Sequence, residues 1–180
     1  MRRLSTLLVP GLVAMTLAAG PALTSAYAAG SDEPSSPPKS DTSTKKGKKK
    51  SSSVSDPKFL AAYRTAYTTI YDKHDYTDAI GQLKQLKRDD VADVANLIGY
   101  SYRKLGDYQS SKTYYEIALK DDPNHVRTWQ YYGLWQLEQG NREQAQYHLD
   151  KIASLAGTDS SEYRSLAAAL DKPTGATLVY

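Results

Sequence analysis

The sequence predicts an all-α fold made of antiparallel helical hairpins stacked side by side. Three observations carry this reading. Apolar residues recur at helical spacing in six successive stretches between Phe59 and Ile152. Short polar or Gly/Pro breaks separate them, at His74-Asp75, Asp89-Asp90, Gly106-Asp107, Asp122-Pro123 and Gly140-Asn141. Equivalent second-helix starts also recur: Tyr108 and Arg142 lie 34 residues apart, and Tyr76 and Tyr108 lie 32 apart. A hairpin of that length cannot bury its apolar face alone and must stack on copies of itself.

The elements follow in order. Asp56 suits an N-cap and Pro57 a first helical position, opening a helix with Phe59, Leu60, Tyr63, Tyr67 and Ile70. Asp75 caps a second helix carrying Tyr76, Ala79, Ile80, Leu83 and Leu86. A third carries Val94, Leu97, Ile98 and Tyr102 and stops at Gly106, a residue suited to positive φ. Asp107 caps the helix of Tyr108, Ser111, Tyr115 and Ala118. Asp122-Pro123 reads as another cap-plus-proline start, for a helix with Trp129, Tyr132, Gly133 and Leu137. Asn141 with Gln144 reads as a capping box for a sixth helix with Ala145, Leu149 and Ile152. Asp159 with Glu162 reads as a further box, opening a short helix with Tyr163, Leu166 and Leu170 that ends before Pro173. The acidic pairs Asp89-Asp90 and Asp121-Asp122 fall at helix ends, where capping is the simpler account.

Composition bounds the ends. Met1-Arg2-Arg3, an apolar run broken by Pro10, Gly11, Gly20 and Pro21, and Ala26-Tyr27-Ala28 describe a signal peptide over 1–28, cleaved near Ala28. The breaks disfavour the rival reading, a membrane anchor. A periplasmic or secreted location by the general secretory route is therefore expected. Residues 29–56 form a Ser/Lys/Pro-rich segment with six lysines against four acids. Too little of it is apolar to offset ordering entropy, so it is expected to be a disordered linker. Its lysines Lys45, Lys46, Lys48, Lys49 and Lys50 suit an anionic lipid or cell-wall polymer, or merely a soluble spacer. They have no interleaved aromatics for base stacking, so nucleic acid is not expected. The domain spans 57–172, with repeats near 58–90, 92–125 and 126–159, a capping helix near 160–171 and a tail over 173–180. There is no Cys, so neither a disulfide nor a thiolate zinc site is available.

The middle unit carries a specific pattern: Gly99, Ser111 and Ala118 as small residues, Ile98, Tyr102 and Tyr115 as large ones beside them, and Pro123 at the unit's end. On these residues the chain resembles the tetratricopeptide repeat family. The third unit matches through Trp129, Gly133, Gly140, Ala145 and Leu149, with Ile152 in place of the second small residue. The first is weakest, because Tyr67 stands where the family has Gly and Leu86 where it has Ala. The layout is similar to small exported bacterial members with three repeats and a terminal helix, here containing Glu162, Tyr163 and Leu166. Relatives of that type often carry two cysteines where this chain has Ala156 and Ser160. The resemblance implies a right-handed solenoid and a non-enzymatic adaptor or scaffold that binds a protein or peptide, with no cofactor and no metal.

Projected on the family pattern, the groove-facing positions are Arg64, Thr68, Tyr71, Asn96, Tyr100, Arg103, Arg127, Gln130 and Leu134. Asn96, Tyr100, Arg103, Arg127 and Gln130 are the expected partner-binding residues, free of packing duty. Tyr and Arg give large contact area with polar tips and are enriched at interaction hot spots; the alternative is an inert solvated face. Tyrosine is abundant, fifteen against one Phe, and Tyr63, Tyr67, Tyr102, Tyr115 and Tyr132 fall on apolar stripes as core. The histidines His74, His125 and His148 stand alone in sequence, so no catalytic or metal constellation is expected. A rival to the adaptor is a structural part of an envelope assembly that oligomerises through its repeats.

Overall fold

The computed structural model describes residues 56–173. The expected signal peptide over 1–28, the expected linker with its lysine run up to residue 55 and the tail from 174 lie outside the described residues. Among the described residues there are seven helices and no strand: α1 (Pro57–Tyr71), α2 (Tyr76–Gln85), α3 (Ala92–Lys104), α4 (Tyr108–Asp121), α5 (Val126–Glu138), α6 (Arg142–Ala156) and α7 (Ser161–Leu170). They pair as the hairpins α1–α2, α3–α4 and α5–α6, and α7 packs on both α5 and α6. This is the all-α, stacked-hairpin architecture expected.

Local chemistry sets the helix starts. The carboxylates of Asp56, Asp75 and Asp107 accept from the amides of Lys58, Asp78 and Ser110 at 3.0, 2.9 and 3.0 Å, each satisfying an orphan donor. Gly106 and Gly140 end the first helices of the second and third hairpins at φ 79° each, a conformation that costs a residue with Cβ.

Four caps differ from the expectation. Asp122-Pro123 does not open α5. The Asp122 carboxylate accepts from the Asn124 amide at 2.9 Å in a turn, and α5 begins at Val126 after His125. Trp129 holds that turn, donating its indole N–H to the Pro123 carbonyl at 2.8 Å. Asn141 precedes α6 but makes no cap bond; its amide donates to Gln136 Oε1 at 3.0 Å. Ser160, not Asp159, caps α7, its hydroxyl accepting from the Tyr163 amide at 3.3 Å. Asp89-Asp90 gives α3 no cap either. Val91 holds that position, and the Ala92 amide donates to Asp121 Oδ2 at 3.0 Å, so the cap comes from the end of α4.

The core runs continuously through the stack, from Tyr63, Ala66 and Ile70 of α1 to Leu166 and Ala169 of α7. Small residues set the closest approaches. A Cβ on Gly99 would lie 2.9 Å from the Tyr115 ring and 3.2 Å from the Ser111 carbonyl oxygen. A Cβ on Gly133 would lie 2.5 Å from Leu166 Cδ2 and 3.2 Å from His148 Cβ. Gly133 thus makes room chiefly for α7. Arg142 pins the far end of α7, its guanidinium donating to the carbonyls of Lys172, at 3.1 Å, and Leu170.

Candidate interaction face

Of the inner helices α1, α3 and α5, the last two carry the five residues expected to bind a partner, and the structure corrects their role. Asn96, Tyr100, Arg103 and Gln130 are buried, and Arg127 is half-buried. They are not free of packing duty. Neighbouring inner helices pack side by side, so positions flanking the groove axis face the next helix rather than solvent.

Asn96, Tyr100 and Arg103 are drawn into junctions, and Gln130 is 5% exposed. Asn96 Oδ1 accepts the Thr128 hydroxyl at 3.1 Å. Arg103 makes a two-pronged ion pair with Glu138, Nε to Oε2 at 2.9 Å and Nη2 to Oε1 at 3.0 Å. Such forked pairing fixes both charge and orientation. Tyr100 sits within a ring cluster, with centroids 5.5 Å from Tyr71, 6.1 Å from Tyr76 and 4.9 Å from Tyr131. Lys104 Nζ lies 5.4 Å from the Tyr100 ring centroid. The Tyr71 and Tyr131 hydroxyls are 3.0 Å apart, so the first repeat reaches across to the third. Burial, then the adjoining Tyr131, push the Tyr71 phenol well above its ordinary pKa. The Arg127 guanidinium lies within electrostatic reach of the phenols of Tyr131, Tyr71, Tyr63 and Tyr67.

His125 is not alone. Its Nε2 is 3.1 Å from Asp93 Oδ1, and its Nδ1 is 2.6 Å from Thr128 Oγ1. Burial pushes the Asp93 carboxyl up, but the His125 hydrogen bond and the charges of His125 and Arg127 outweigh it and hold the carboxyl below its ordinary value. Asp, His and Thr in hydrogen-bonded series is also the order of an acyl-transfer relay. Here Thr128 has no exposed surface, and its hydroxyl proton goes to Asn96. The trio therefore joins α3 to α5 and presents no nucleophile to a substrate.

His148 is buried, with Nδ1 3.2 Å from the Trp129 carbonyl oxygen and the rings of Trp129 and Tyr132 edge-on to it. Burial pushes its pKa down to about 4, so it is neutral in the fold. Among the described residues no group of three or more His, Asp or Glu is placed to hold a metal, and no helix is long and apolar enough to cross a membrane.

Sequence reasoning missed Asp93, Thr128, Tyr131 and Glu138. A signal was present. Asp93 and His125 are 32 residues apart, and Arg103 and Glu138 are 35 apart, both close to the repeat period. Complementary polar residues one period apart on inner helices are neighbours in such a stack. The inner-face side chains left at the surface are Arg64 and Thr68, exposed, with Tyr67, Tyr71 and Arg127 half-buried beside them.

This arrangement is that of a helical-repeat protein. The family model of the tetratricopeptide repeat matches residues 102–170, from the end of α3 to the end of α7. Over those residues the chain is similar to the tetratricopeptide repeat family, a class that generally mediates protein–protein contact and is typically non-enzymatic, and the stacked hairpins agree with that likeness. No curated protein matches the chain.

Proposed function

We propose that this chain is an exported adaptor that docks a peptide segment of a partner protein on its inner face. The observation that carries this is the surface formed by Arg64, Tyr67, Thr68, Tyr71 and Arg127 on a stacked-hairpin scaffold. It offers aromatic area with polar tips and two cations, the composition of an interaction hot spot. Of the residues first expected there, Arg127 retains a ligand-facing role, while Asn96, Tyr100, Arg103 and Gln130 hold the scaffold in shape. The leader over 1–28 supports export to the periplasm or beyond, and the segment over 29–56 serves as a tether.

The test is capture of a partner by crosslinking in the native envelope, with the parent and an Arg64→Glu, Thr68→Asp pair compared. Both positions are exposed, so melting should not move by more than a surface change allows, about 0.5 kcal/mol. The captured partner should be lost with the pair. Capture that survives the pair but is lost on deleting Lys45 to Lys50 transfers the activity to the basic segment. A stable large oligomer of the mature chain on sizing favours the second reading, a structural part of an envelope complex.

A further inference from the structure

The two stretches of chain outside the described residues join the fold at opposite ends of the stack. The one up to residue 55 meets α1 at its start. The other, 174–180, follows α7, whose end is fixed beside the start of α6 by the bonds from Arg142 to the carbonyls of Lys172 and Leu170. With Leu166 against Gly133 of α5, α7 takes the place of a further inner helix. The Arg103–Glu138 pair holds the ends of α3 and α5 together, and Tyr71, the last residue of α1, lies against Tyr100 about one turn before the end of α3. The inner helices α1, α3 and α5 therefore end on the side from which 174–180 departs. The inner face presents Tyr67 and Tyr71 on that side, both half-buried, with Arg64 and Thr68 exposed beside them. Half-buried rings keep part of their area at the surface, so a side chain can stack on them with the Tyr71–Tyr131 hydrogen bond intact.

We infer that residues 174–180 fold back along the inner face and lay Leu178, Val179 and Tyr180 on the Tyr67–Tyr71 rings, so that the protein covers its own docking surface until a partner segment replaces them. Composition selects this stretch over the other. Leu178, Val179 and Tyr180 form an apolar run, whereas Val54 is the one large apolar residue within 29–55. Reach permits it. Tyr131 of α5 already meets Tyr71 of α1, so the crossing from α7 is one helix spacing of about 8–10 Å and the length of two phenol side chains. Seven extended residues span up to about 25 Å, which brings the last three of 174–180 over the rings. The inference rests on the inner-face reading and adds the chemistry that the face takes: an extended, uncharged segment with adjoining aliphatic and aromatic side chains. A tethered segment acts at an effective concentration of the order of millimolar, so it lowers the apparent affinity of any competitor.

The sequence has no cysteine, so Ala176→Cys gives a single site for a nitroxide label on the chain from Ala29 onward. In NMR spectra the amide signals of α1 around Thr68 and Tyr71 should broaden most, while those of Thr113 and Glu116 on the outer helix α4 should keep their intensity. Adding Leu178→Ser with Tyr180→Ser should restore the α1 signals. A label that broadens α1 no more than α4 overturns the inference. So does broadening of α1 that survives the two serine changes, which would report nearness without apolar contact. A synthetic peptide of residues 172–180, added in trans, should bind the double-serine chain about tenfold tighter than the parent. Equal binding to both also overturns the inference. Fold-back that passes these tests, while partner capture survives the Arg64→Glu, Thr68→Asp pair, sinks the inner-face reading for the partner and leaves the fold-back standing. Capture lost with that pair, while the label leaves α1 sharp, keeps the partner reading and removes the fold-back.

Discussion

The first hairpin and the two that follow are built on the same plan but joined by different chemistry. In the second, Gly99 lets the Tyr115 ring and the backbone at Ser111 come close. In the first, Tyr67 stands on the inner helix and packs on Tyr71, with ring centroids 4.5 Å apart. The inner helices differ in the same way. Between α3 and α5 there is a forked ion pair at one end and the Asp93–His125–Thr128–Asn96 chain at the other. Between α1 and its inner neighbours the contact is made by tyrosine rings. Charge pairs and backbone approach tolerate little displacement, whereas offset rings slide and re-stack at small cost. The contrast predicts that the first inner helix is held less tightly than the two that follow.

The largest test removes the ionic clamp. Arg103 has a side chain only 1% exposed, so Glu138→Ala leaves a buried cation without its carboxylate and should cost about 4 kcal/mol in a denaturant melt. A cost near that of a surface change would place the α3–α5 junction on the same footing as the first. Next is the glycine. Gly99→Leu drives atoms into the Tyr115 ring and should cost about 3 kcal/mol. Gly133→Leu should instead dislodge α7 through Leu166, visible as faster amide exchange in α7 before the rest of the domain opens.

Acid provides a third test, confined to the later hairpins. His148 titrates at about 4 in the fold and near 6.5 when unfolded. Between those values the unfolded chain holds more protons, so stability rises with pH and is lost as pH falls from 6.5 towards 4. The contribution of His148 between pH 7 and pH 5 should be a loss of about 2 kcal/mol. His148→Phe should abolish that part of the pH dependence, even if it lowers stability at pH 7 by losing the bond to Trp129. The smallest effect is expected in the first hairpin. Tyr67→Ala removes one half-buried ring contact and should cost about 1 kcal/mol. A loss as large as that of Gly99→Leu would show the first inner helix to be as tightly fixed as the others.

Much of this fold is legible in the sequence because helix period, turn residues and hairpin spacing are local signals. The starts at Asp56, Asp75 and Asp107 are of this kind. The failures are non-local. Asn141 and Asp122 have the right chemistry for caps, but Gln136 takes the first and a turn takes the second. The inner-face residues were placed on the correct helices, yet their burial depends on how closely α1, α3 and α5 approach. A periodic pattern gives a side chain's direction and not its distance from the next helix. Tyr71, read only as one groove-facing residue, meets Tyr131 across 60 positions, a contact no local pattern contains.

The cap that Asp121 supplies to Ala92 has a consequence for synthesis. Translation delivers α3 first, and its leading amide has no carboxylate until 29 further residues have followed. The cap at the front of the second hairpin is therefore completed only by its far end. It completes when the end of α4 emerges, and a chain interrupted one residue short, at Lys120, carries both helices yet lacks the clasp that closes them. Vectorial growth from the ribosome and final closure of this hairpin thus run in opposite directions along the chain.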